Sequence, residues 1–137
     1  MDMVERRKYR RYPVYCPIEY RRADDNSIDS SITLNLSEAG ALISTRKHIT
    51  PDTRLVIRII LKGDVFFVRA RVVHIEPELD KNVYDVGLEF MQNSFSFIRR
   101  FYEELESIML YQRECSQRSG RQVTLPEASM QWYNSPH

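Results

Sequence analysis

From residue 14 to residue 91 the apolar side chains recur at every second position, in one short run after another. Val14, Cys16, Ile18 and Tyr20 alternate with Tyr15, Pro17 and Glu19, the period of a strand with one buried face. The segment ADDNS (23–27) follows as a turn. Ile28, Ser30, Ile32, Leu34 and Leu36 share one face of a second strand; residues 37–40 interrupt it, and ALIS (41–44) resumes as a third. Leu55, Ile57, Ile59 and Leu61 line a fourth. Lys62-Gly63-Asp64 is a hairpin signal. Residues 66–76 return along a fifth strand, with a slip of phase at Val72 and Val73 that predicts a bulge. Tyr84, Val86, Leu88 and Phe90 make the last. Short strands joined by turns, without the spacing of βαβ units, predict an antiparallel sandwich or barrel. Pro17 inside the first strand predicts an edge position or a bulge there.

The period then changes. Phe97, Ile98, Phe101, Tyr102, Leu105, Ile108 and Met109 recur at helical spacing. A helix is expected over 94–117, with Asn93 or Ser94 as its cap and Gly120 as its stop. Residues after 120 hold two prolines and no clear period, so a loose tail is expected, or a segment that orders on a partner. The resulting division is a flexible basic arm (1–13), a β domain (14–92), a C-terminal helix (93–118) and the tail (119–137).

The chain has 137 residues, 42% apolar and 28% charged, which is the balance of one ordinary globular domain. Two cysteines far apart, Cys16 and Cys115, form neither a zinc pattern nor a disulfide framework. They read as reduced thiols of a cytoplasmic protein. The N-terminus is charged and lacks an apolar core, so no signal peptide is expected, and no apolar run reaches the length of a membrane span. His48, His74 and His137 are scattered; Asp24, Asp25 and Asp29 read as turn residues before they read as a cation site. With no Ser/His/Asp order, P-loop or GxGxxG present, no catalyst, cofactor or metal is expected.

The formal net charge is only +1, yet residues 6–11 hold five positive charges just before the first strand. A protein that coats nucleic acid usually carries a larger basic excess, so this concentration points to a local ligand. Within it lies Arg7-x-x-x-Arg11. A guanidinium is planar, permanently charged and forked, suited to a phosphate or to the O6/N7 edge of guanine; a charge run is also a common solvated face. The second motif is Asn35-x-Ser37-x-x-Gly40, between two strands. Asn and Ser there can bond a ligand or satisfy the local backbone, and Gly40 permits a positive φ or a close approach.

Together, RRKYRRYPV and NLSEAG, with VGLEF (86–90) near the end, resemble the PilZ family, over roughly residue 5 to the start of the helix. The resemblance implies a six-stranded antiparallel β-barrel with a C-terminal α-helix and a cyclic di-GMP ligand. It implies that Arg7 and Arg11 hold phosphate and guanine edges, that Asn35 and Ser37 bond a guanine, and that Gly40 lets the backbone come close. Asn35 stands where the family more often has Asp, which implies somewhat weaker binding. A basic residue at Arg6 goes, in relatives, with an intercalated pair of ligand molecules; Arg10 is a further candidate contact. The function implied is a non-enzymatic receptor whose arm closes over the ligand and signals to an unidentified downstream protein. The competing readings are a protein-interaction module that needs no nucleotide and a nucleic-acid binder. Three smaller expectations remain. Arg69 and Arg71 extend a basic surface; Val56 and Ile60 sit under the helix; the distal helix (108–117) pairs with a second copy or an effector, with Trp132 and Tyr133 as a partner anchor.

Overall fold

The computed structural model describes residues 9–79, 82–92 and 94–135. Six strands follow in order: β1 (Pro17–Arg22), β2 (Asp29–Leu36), β3 (Gly40–Thr45), β4 (Arg54–Leu61), β5 (Asp64–Pro77) and β6 (Tyr84–Gln92). Two helices complete the chain, α1 (Phe95–Ser119) and α2 (Leu125–Asn134). All strand pairs are antiparallel, and they close into a barrel in the order β1-β2-β3-β6-β5-β4. The two-residue period dictates the interior: Ile18, Ile43, Leu55, Ile57, Ile59, Val68, Ala70, Val72, Val86 and Leu88 are buried, while their neighbours turn outward. β-branched and leucine side chains fill the interior of a narrow barrel of this kind.

The predicted hairpin is present, with Gly63 at φ 86° between β4 and β5. The predicted bulge lies between Val72 and His74. Two further register shifts, between Arg69 and Ala70 and between Thr33 and Asn35, lie where the sequence pattern gave no sign of one. The latter changes the face of β2, so Thr33 and Leu36 are buried while Ile28 and Ile32, expected on the face of Leu36, are exposed. Pro17 corrects the sequence reading. Closure leaves β1 no edge, and Pro17 is its first residue, where a missing N–H is tolerated. Just before it, Thr33 Oγ1 stitches the chain to β2, accepting from Cys16 N (2.9 Å) and donating to Val14 O (2.7 Å).

α1 begins at Ser94, whose hydroxyl accepts from Phe97 N (3.0 Å), and stops at Gly120 in the left-handed region (φ 70°). Its buried stripe is Phe97, Phe101, Glu104, Leu105 and Ile108. Phe97 meets the rings of Phe66 (5.5 Å) and Phe90 (6.1 Å) edge-on, at the end of the barrel where β5 starts and β6 finishes. The helix therefore caps that end. Val56 is not beneath it; with Ile28 and Phe67 it borders a shallow groove on the outer wall.

The tail reading is overturned by α2. Thr124 and Glu127 form a capping box, and Pro126 falls in the first turn, where its missing N–H breaks no helical bond. Val123, Ala128 and Ser129 are buried. Tyr15 N donates to Ser129 Oγ (2.8 Å), and Lys62 Nζ donates to the carbonyls of Trp132 and Ser135 at the helix C-terminus. Glu104, 3% exposed, accepts from Lys62 N (2.7 Å), Arg100 Nη2 (3.1 Å) and Trp132 Nε1 (3.3 Å). Trp132 and Tyr133 thus serve the chain's own core.

Candidate ligand site

The same end of the barrel gathers the start of β1, the β2–β3 loop and α1. The arm reaches it through Tyr12, which exchanges two backbone hydrogen bonds with Leu36: Tyr12 N to Leu36 O and Leu36 N to Tyr12 O, both 2.9 Å. The Tyr12 ring stands edge-on to buried Phe101 of α1 (6.3 Å), and Arg10 places its guanidinium 5.1 Å from the Tyr12 centroid, a cation–π contact. The residue between them, Arg11, brings Nη2 to 3.7 Å from the point where a Cβ on Gly40 would lie. The two sequence motifs, two dozen residues apart, are therefore brought close together at Arg11 and Gly40. Arg6 and Arg7 lie outside the described residues.

The loop is held by its own polar groups. Ser37 is 2% exposed; its hydroxyl accepts from Ala39 N and Gly40 N (both 3.1 Å) and donates to Gly40 O (3.3 Å), while Ser37 N also bonds Gly40 O (2.9 Å). Ser37 therefore sets the shape of the loop. Asn35 Oδ1 accepts from Leu42 N (3.1 Å) across the β2–β3 register shift, filling a bond the bulge leaves open. That contact occupies the amide oxygen of this half-buried side chain and leaves recognition of a ligand to the amide nitrogen. Gly40 is not in the left-handed region; a Cβ there would lie 2.3 Å from the carbonyl oxygen of Leu88 in β6. The close approach that requires glycine is thus by the neighbouring strand.

Sequence reasoning singled out no residue of α1 for this site. At Tyr102, on α1, burial first, then the charges of Glu38, Tyr12 and Tyr9, holds the phenol above the usual tyrosine range. The expected basic surface of Arg69 and Arg71 is reduced by ion pairs, since Arg71 binds Asp52 (2.7 Å) and Glu89 (3.3 Å). Cys16 is buried, which pushes its thiol up to about 12 and leaves it protonated. Among the described residues no group of His, Cys, Asp and Glu is arranged to hold a metal ion. Asp25 accepts from Ser27 N (3.1 Å), as a turn residue does, and Asp29 pairs with Lys47 (3.0 Å). No helix of the described residues is long and apolar enough to cross a membrane.

Three solved structures are similar in fold. YcgR from Escherichia coli in complex with c-di-GMP shares 19% identity at a TM-score of 0.68, over 83% of this chain and 50% of that one. The PilZ domain of YcgR with c-di-GMP, also from Escherichia coli, shares 20% at 0.59, over 84% of this chain and 98% of that one. The inhibitor of motility MotI/DgrA of Bacillus subtilis shares 14% at 0.59, over 69% and 46%. The chain therefore spans about half the length of MotI/DgrA and of the longer YcgR structure, and nearly all of the isolated domain. No curated protein matches it. The sequence matches the PilZ domain over residues 5–104, most of the chain and all of the barrel, so the protein belongs to the PilZ domain family.

Proposed function

We propose that this chain is a cyclic di-GMP receptor, with no catalytic role, in which the arginine arm closes over the ligand at the α1 end of the barrel. The observation that carries the reading is the meeting of the two motifs, with the Arg11 guanidinium set against Gly40. Cyclic di-GMP presents two guanines and two phosphates, so it needs forked cations, edge donors and stacking faces together. Arg7, Arg10 and Arg11 supply the cations, and the Asn35 amide, its oxygen bonded to Leu42 N, supplies donors from its nitrogen toward a guanine O6 or N7. Ser37 acts through the loop it shapes, and Gly40 by keeping that loop tight against β6. Arg6 extends the charge and favours an intercalated pair of ligand molecules. The ligand-ordered arm then presents a changed surface to a downstream protein.

Charge-assisted hydrogen bonds contribute about 1.5–3 kcal/mol each, so removing two arginines together is expected to weaken binding about 100-fold or more. Calorimetric titration of cyclic di-GMP into the wild type and the Arg7→Ala, Arg11→Ala double variant tests this, and the same titration gives one or two molecules per chain. Equal affinity in both proteins removes the clamp; absence of heat and of binding in the wild type removes the receptor.

A further inference from the structure

Nucleobase recognition needs a face as well as edges and charge. Ser37 is closed on its own loop, Asn35 offers an edge, and the loop surface beside Arg11 is backbone at Gly40. None of these presents an aromatic plane. α1 does. Phe101 turns inward and carries the Tyr12 ring at 6.3 Å. Tyr102, the next residue, is turned about 100° around the helix axis, away from the buried stripe, with its ring centroid 5.2 Å from that of Phe101. It is 38% exposed, and burial first, then the charges of Glu38 of the motif loop and of Tyr12 and Tyr9 of the arm, raises its phenol above the usual range. Tyr9 is 44% exposed. A half-open ring thus follows directly on the Phe101–Tyr12 contact by which the arm meets α1, and packing of the helix on the barrel does not require it there.

We infer that Tyr102 is a nucleobase-stacking residue, through which α1 contributes a wall of the ligand site beside Arg11 and Gly40. The inference rests on the cyclic di-GMP reading above and adds the helix to it. A tyrosine on a capped helix suits this role, because it has only two side-chain torsions to fix and its ring is already supported by Phe101. A base stacked on such a ring is sequence-tolerant in general, so specificity for guanine stays with the arginines and Asn35, and Tyr102 supplies affinity.

The test uses the full chain and cyclic di-GMP. Affinity is measured by calorimetry for the wild type, Tyr102→Phe, Tyr102→Leu and Tyr102→Ala, and the tyrosine ring protons of the wild type are followed by NMR, with Tyr102 assigned from the Phe variant. Tyr102→Phe is expected to bind within about threefold of wild type, and the Leu and Ala variants about tenfold or more weaker. The Tyr102 ring signals are expected to move upfield on saturation. This last readout needs only the conservative Phe variant to fold, for the assignment. Wild-type affinity in the Leu and Ala variants, or unmoved Tyr102 ring signals while the wild type binds, overturns the inference and leaves the receptor reading standing. A wild type that takes up no cyclic di-GMP overturns both.

Discussion

The arm and the α2 segment approach the same end of the barrel from opposite ends of the chain, and they are held there by different means. The attachments of the described part of the arm include a pair of backbone bonds, Tyr12 with Leu36, partly exposed ring contacts at Tyr12, and Arg11 close to Gly40. α2 is attached by a capping box, by buried Val123, Ala128 and Ser129, and by the buried carboxylate of Glu104 beneath Trp132. Local stability follows buried apolar contact and satisfied buried polar groups. In the proposed receptor, this contrast makes the two helices the scaffold and the arm the part that responds.

The largest expected effect breaks the scaffold side. Glu104→Ala leaves Lys62 N, Trp132 Nε1 and the Arg100 guanidinium without their buried acceptor, and is expected to cost about 3–5 kcal/mol, measured by chemical denaturation. Gly40→Ala is next. Its methyl would meet the Leu88 carbonyl at 2.3 Å, which neither strand can move from without disturbing the barrel, so a loss of about 1–3 kcal/mol is expected, with weaker cyclic di-GMP binding besides. Tyr12→Ala keeps the backbone pair with Leu36 and loses two ring contacts. It is expected to cost only about 1 kcal/mol of stability while raising the Kd for cyclic di-GMP, and a stability loss equal to that of Glu104→Ala would erase the contrast. The smallest effect is chemical: Cys115 is expected to react with a thiol reagent in the native protein, and buried Cys16 only after unfolding, counted by mass spectrometry.

Much of the fold is written in local pattern. The two-residue period places the strands, though not the face of β2, which turns at the shift between Thr33 and Asn35; the slip at Val72 marks the β5 bulge, and Ser94 and Gly120 bound α1. What was not legible depends on contacts far apart in sequence. Closure of β1 on β4 removes the edge that Pro17 suggests. The demand for glycine at position 40 comes from Leu88, far along the chain in β6, which no local rule carries. Tyr102 looks like one more member of the apolar stripe, because position along a helix does not say what stands beyond its margin. The α2 helix is a different case. Nearby prolines and a length of only ten residues suppress the helical signal, yet Thr124 and Glu127 flanking Pro126 form a start signal that was there to be read.

In the proposed receptor the guanidinium arm closes on cyclic di-GMP while the helical cap stays as it is. Hydrogen exchange read by mass spectrometry, with and without saturating ligand, addresses both halves of that statement at once. Slower exchange is expected over residues 6–12 and 35–42, with unchanged exchange over 124–134. Unchanged exchange in the arm at full ligand occupancy would contradict it.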